Sequence, residues 1–185
     1  FGKCILGKCN LKVSDKSIIK DSLLITSSSG TKQMGSVINN GKLINIASED
    51  INLSGNMENN GFINFNKGTL IFSTPALISG PLSVAKLKLS DSLIIIDTVT
   101  ITEEIIGKGK LINRGIVQLG MTDSKFKIDS LDLAFPSNEV HFIRAGKQTV
   151  PKISNNIAKK LIFQGKGIFT LNSYLDINTI EIRKN

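Results

Sequence analysis

The sequence predicts an all-β chain, a parallel β-helix of roughly eight to nine rungs at about 20 residues each. Three observations predict it: a long internal duplication, a shorter repeat punctuated by glycine and asparagine, and the want of any sustained helical period. The duplication is LKVSDKSIIKDSLLIT at 11–26 and LKLSDSLIIIDTVTIT at 87–102, ungapped, 76 positions apart and identical at nine of sixteen positions. A repeated unit that cannot bury its own apolar face has to stack on its neighbours.

The shorter repeat fits Gly-x-apolar-x-Asn-x-Gly-x-apolar-x-apolar. GSVINNGKLINI begins at Gly35, GNMENNGFINF at Gly55 and GKLINRGIVQL at Gly109, and GIFTLNSYLDI from Gly167 is a worn fourth copy. The pentapeptide GKLIN also recurs at 41–45 and 109–113, an alternative register offset by 68. Each unit reads as strand, turn, strand. Side chains two apart share a face of a strand, so Val37 with Leu43, Met57 with Ile63 and Leu111 with Val117 flank the turn as inward residues. Glycine accepts positive φ and asparagine tolerates it, which makes Asn39 to Gly41, Asn59 to Gly61 and Asn113 to Gly115 the expected corners. Asn-Gly is equally a hairpin turn, so an antiparallel β-sandwich is the alternative. The fixed period near 20 favours the coil.

Isoleucine and leucine dominate the apolar set, tryptophan is absent and Tyr174 is the only tyrosine. Leu93 to Ile96 and Val99 to Thr102 read as strands. The best helical stretch, IAKKLIFQ at 157–164, is short, runs into Gly165-Lys166-Gly167 and reads better as a strand. Nine rungs at about 4.8 Å give a rod on the order of 40 Å long.

Residues 1–10 are expected to form an N-terminal cap or linker, and 11–185 a single solenoid domain whose higher-order repeat starts at 11 and 87. The segment 133–160, with Pro136 and Pro151, loses the phasing and is the expected place for a recognition surface. Cys4 and Cys9, with Gly7 between them, can close a tight disulfide that pins the end; two thiols that simply pack are the other reading. Phe1 in place of an initiator methionine and the uncapped EIRKN are the ends expected of a processed product or of part of a longer chain.

The balance of 23 basic to 15 acidic residues gives a net charge of +8. Such a surface suits an anionic partner, acidic polysaccharide first. The lysines are dispersed, however, and few aromatics accompany them, so a specific nucleic-acid site is not expected. Lysine on outward strand positions also blocks edge aggregation. Two cysteines and the lone His141 cannot furnish a zinc site, no apolar run approaches the ~20 residues of a membrane span, and no cofactor motif is present.

The carboxylates Glu49, Asp50, Glu103, Glu104, Asp123, Asp129, Asp132 and Glu139 are spread along the chain. Among them Glu139 shares a strand face with His141, with Arg144 close behind, which makes an acid–base pair geometrically available. This trio is the weak binding-site candidate, and no catalytic residue is assigned. Asp15, Asp21, Asp91 and Asp97, repeated in the duplication, are expected to cap their own turns. Asn39, Asn59 and Asn113 would stack as an asparagine ladder if they share a corner. Asn52-Leu53-Ser54 is a glycosylation sequon, informative only in a secreted eukaryotic protein.

NNGKLINIASEDINLSGNMENNGFINF and GKGKLINRGIVQLG resemble the degenerate Gly/Asn repeats of right-handed parallel β-helices in surface and adhesin proteins of bacteria and protists; the likeness spans roughly 35–120. The resemblance implies an extracellular, non-enzymatic, elongated module, structural or adhesive, whose partners are copies of itself or neighbouring surface proteins. A polysaccharide-binding or polysaccharide-degrading β-helix is the alternative.

Overall fold

The computed structural model describes residues 2–27 and 29–184, the side chain of Asp123 excepted. All its strand pairings are parallel, which excludes the sandwich. The backbone makes about nine turns of a β-solenoid, and each turn lays one strand segment on each of three faces.

Face I stacks Lys3–Leu6, Ser22–Ile25 and Lys42–Asn45, the first halves of Phe62–Phe72, Leu82–Leu89 and Thr98–Gly107, then Ile116–Leu119, Glu139–Phe142 and the second halves of Ile153–Gln164 and Asp176–Arg183. Face II begins with the first halves of Leu11–Ile19 and Lys32–Asn39, continues through Ile51–Leu53 and ends its unbroken run at Phe126–Lys127. Face III runs from the second halves of the same two strands through Met57–Asn59, Ala76–Ser79, Leu93–Ile95, Lys110–Asn113 and Ser130–Leu133. Lys3–Leu6 pairs with Ser22–Ile25, so it is already a strand of the stack.

Alternation decides what lies inside. On face II the inward row reads Leu11, Lys32, Ile51, Leu70, Leu87, Ile105, Phe126, each paired to the next, and its interior members are buried. Each fully buried Leu, Ile or Phe stabilises the stack by ~1.5–3 kcal/mol. Toward the last coils the core becomes aromatic, with Phe142 stacked on Phe163 at 5.2 Å between ring centroids.

The duplication has a structural meaning. Leu11 and Leu87 occupy one row four coils apart, so the two sixteen-residue copies start in phase on face II. The short repeat is a face III strand with a glycine at each corner. Those glycines do not have positive φ; what they need is room. A Cβ on Gly41 would run into the backbone carbonyl of Asp21, on Gly61 into that of Gly41, and on Gly115 into that of Asp97. Gly35 and Gly109 stand likewise over Asp15 and Asp91. Two sequence matches do not survive. The GKLIN at 41–45 lies on face I while that at 109–113 lies on face III, and the segment from Gly167 opens Phe169–Thr170 rather than a face III strand.

Irregularity gathers late in the chain. Successive face I partners are 17 residues apart at Leu82 and Val99 but 23 apart at Val117 and Val140. Ile153 pairs with Leu131 and Ala158 with Leu133, leaving residues 154–157 as a bulge in which Asn155 (φ 60°) and Asn156 (φ 54°) are both left-handed. The face II ladder also breaks here: Phe126–Lys127 pairs with Thr98–Gly107, whereas Gln148–Thr149 pairs with Phe169–Thr170. Gln148 spans part of the gap by donating Nε2 to the carbonyls of Leu119 and Met121 at 3.3 and 3.0 Å.

Gly107 combines both demands, a φ of 127° and a Cβ position inside the Leu89 carbonyl. Gly107→Ala is expected to cost ~1–3 kcal/mol in urea unfolding, whereas Gly7→Ala, whose Cβ would meet open space, stays within about 0.5 kcal/mol.

Candidate functional site

The outward side of face I in the last coils holds the largest connected set of charged side chains. Glu139 and His141 lie two apart on one strand and both point outward, as alternation requires. His141 Nε2 is 2.8 Å from Glu139 Oε2, and Lys160 Nζ is 2.9 Å from Glu139 Oε1. Lys160 also reaches Glu181 Oε2 at 3.4 Å, and Glu181 is held by Arg183 Nε at 2.7 Å. The row therefore zigzags in charge across three coils. Register sets Ile162, an outward residue with no exposed surface, between His141 and Glu181.

Hydrogen bonding from His141 and then Lys160 holds the Glu139 carboxyl below the usual range. The ionised carboxylate can only accept, so His141 donates its Nε2 hydrogen. Glu181 is lowered chiefly by Arg183. Both oxygens of Glu139 are thus occupied and its basicity is reduced, which opposes general acid–base work. Arg144 does not join them; its guanidinium donates to the Lys147 carbonyl at 2.9 Å.

Other sequence candidates are dispersed. Asp132 accepts from Lys110 at 2.9 Å; partial burial raises its pKa, but the bonds from Lys110 and the Ala134 N–H prevail and the net shift is downward. Glu104 pairs with Lys125, and the Asp50 carboxylate accepts from the Thr69 N–H. The Asp123 side chain lies outside the described residues. Asn52 is half-buried on the outward side of face II, with its Oδ1 enclosed and unpartnered. Among the described residues no three His, Cys, Asp or Glu side chains are placed to hold a metal, and no helix is long and apolar enough to cross a membrane.

Cys4 and Cys9 are free thiols, correcting the expected clasp. Cys4 falls in the inward row with Leu23, at the open end of the first coil. Cys9 sits at the next corner, where its carbonyl accepts from Lys32 Nζ at 2.6 Å.

The three corner asparagines do share a role. Asn39, Asn59 and Asn113 are buried at the corner between faces III and I, and the Oδ1 of each accepts from the N–H of Gly41, Gly61 and Gly115 respectively. Each Nδ2 reaches one coil onward, to the carbonyls of Phe62, Pro81 and Glu139. Only Asn39 and Asn59 stack on each other, at 2.7 Å; Asn113 stands alone, several coils away. Of the repeated aspartates, those of the second copy cap locally: Asp91 accepts from the Ser92 N–H and Asp97 from the Thr98 N–H, at 2.6 and 2.8 Å, whereas Asp21 accepts only from the Ser22 hydroxyl at 3.3 Å.

Two arrangements escaped sequence reasoning. Lys32 is buried in the inward row, its ammonium bonded to the carbonyls of Cys9 and Ser29 and to Glu49 Oε2 at 3.4 Å. Lysine is rarely placed inside, and only the row reading Leu11, Lys32, Ile51 would have exposed it. Lys160 and Glu181 follow Glu139 at successive intervals of 21 residues, about one coil, and that spacing was a legible signal.

No protein-family model matches the chain, and neither curated proteins nor solved structures give a match.

Two outcomes follow from this geometry. Because the bonds from His141 and Lys160 hold the folded-state pKa of Glu139 below that of a free glutamate, its contribution is present above the ordinary glutamate range and is lost as pH falls through the lowered value. Glu139→Gln should therefore destabilise the protein near neutral pH and flatten the acid limb of stability, read by urea unfolding across that range. Asn113→Ala leaves the Gly115 N–H unbonded and removes the side-chain bond to the Glu139 carbonyl, and should cost ~1–3 kcal/mol, against less than about 0.5 kcal/mol for exposed Asn40→Ala in the same assay.

Proposed function

We propose that the chain is a non-enzymatic rod, a structural or adhesive module of an extracellular surface. The observation that carries this reading is that the outward charges which resemble a catalytic set are bonded to one another from coil to coil: Glu139 to both His141 and Lys160, and Lys160 onward to Glu181. Such a ladder stiffens a stack and leaves neither a free base nor a free acid. The likeness of the repeats to those of surface β-helices supports the extracellular setting.

Copies of the same chain are the partner this reading favours. A charge of +8 opposes side-by-side packing of identical rods. End-to-end contact escapes much of that repulsion, because strand edges offer unpaired backbone groups. Ile180 and Ile182 are exposed on Asp176–Arg183, the last described strand, and the inward rows of the first described coil line a cavity of about 530 Å³.

Sedimentation and small-angle scattering over a concentration series test the proposal. Elongated particles that lengthen with concentration, and that stay single with Ile182→Lys, are expected. A strictly monomeric protein that depolymerises an acidic glycan would refute it.

A further inference from the structure

The break in the face II ladder opens a cleft of about 460 Å³ between Phe126–Lys127 and Gln148–Thr149, outside the ladder of Glu139. Phe126 and Ile128, half-buried at the strand left uncovered by the break, and the buried Val150 line it. Around them stand Asn156, Asn172 and Ser173, all exposed. Asp129 and Lys152 also contribute, one charge of each sign.

We infer that this cleft binds a neutral oligosaccharide. Its volume falls within the ~300–1,000 Å³ of small-ligand sites, and its composition is theirs, apolar surface with a few polar groups that orient the ligand. A sugar ring presents the matching pattern, an apolar face of C–H groups edged by hydroxyls that both donate and accept. Side-chain amides and hydroxyls do the same, which suits Asn156, Asn172 and Ser173 to pairs of neighbouring hydroxyls. The opposed charges of Asp129 and Lys152 cancel, so the cleft does not select an anionic ligand, although the chain as a whole is basic.

The backbone explains how Asn156 reaches the cleft. Asn155 and Asn156 hold left-handed conformations in consecutive positions of the bulge that carries Asn156 to the cleft. Asparagine tolerates this conformation, which lets the bulge turn sharply enough to present Asn156 there. The bulge interrupts a strand that would otherwise continue the stack.

This inference adds a ligand to the rod and borrows from that reading only its extracellular setting. Sedimentation decides self-association and sugar titration decides the cleft, so the two can fail separately. The test titrates the whole chain with cellohexaose, chitohexaose and maltohexaose in turn, and with a galacturonate trimer for comparison, following backbone and side-chain amide signals by NMR. At least one neutral hexasaccharide at millimolar concentration should move the signals of Thr149, Asn156, Asn172 and Ser173. Asn172→Ala and Ser173→Ala, both at exposed positions lining the cleft, should each weaken that binding about tenfold, or ~1.4 kcal/mol, with the melting temperature unchanged. Silence from all three neutral sugars overturns the inference. So does a response to galacturonate alone, or full affinity in both variants.

Discussion

Parallel strands stacked about 4.8 Å apart leave no space for a side chain where one coil passes directly over the next at a corner. That clearance explains the two repeats together. Asp15 and Asp21 of the first long copy lie beneath Gly35 and Gly41, and Asp91 and Asp97 of the second lie beneath Gly109 and Gly115. The duplicated aspartates and the punctuating glycines are thus the lower and upper sides of the same corners, one coil apart. Asp91 and Asp97 bond the turns they occupy, and at all four corners glycine lets the following coil close down.

The same closeness makes the interior narrow. Each coil adds only a few inward side chains, so a polar group placed among them has no neighbouring solvent and must find its partners in the coils on either side. The corner asparagines do so with one acceptor turned to their own glycine and one donor turned onward. Lys32 is the extreme case, since an ammonium has three hydrogens and finds three acceptors in Cys9, Ser29 and Glu49. Removing one partner of a buried ion pair is far more damaging than replacing the pair with apolar residues. Glu49 is accordingly a structural carboxylate that ties the third coil to the first two.

Legibility in the sequence followed from what repeats. Inward apolar residues and corner glycines recur at the coil period because every coil meets the same neighbours, which is why strands at 93–96 and 99–102 and the corners at 39–41, 59–61 and 113–115 could be read in advance. The reason assigned to the glycines was wrong, because close approach of two backbones leaves the same residue preference as positive φ. Glu139 and His141 were legible as neighbours on one strand, while Arg144 was not excluded because the turn beyond Phe142 has no period to read. The partners Lys160 and Glu181 come from other coils, and their 21-residue spacing has meaning only once the coil length is known. The cysteines misled because short sequence separation says nothing of direction, and Cys4 is committed to an inward row.

Outward rows are under no such constraint, and on face I they change character along the rod. Ile5, Leu24 and Ile44 stack as an apolar row in the first coils, Thr100 bonds to Gln118 at 2.8 Å in the middle, and the charged ladder of Glu139 closes the far end. The backbone ladder holds each of these rows in register without help from its side chains, so an outward residue can change with little effect on the fold. The exception is the stretch from 133 to 160, where the longer coil, the bulge and the broken face II ladder disturb the stack itself. Such departures forfeit strand hydrogen bonds that regular coils keep. A periodic scaffold gains nothing for its own stability by breaking its period.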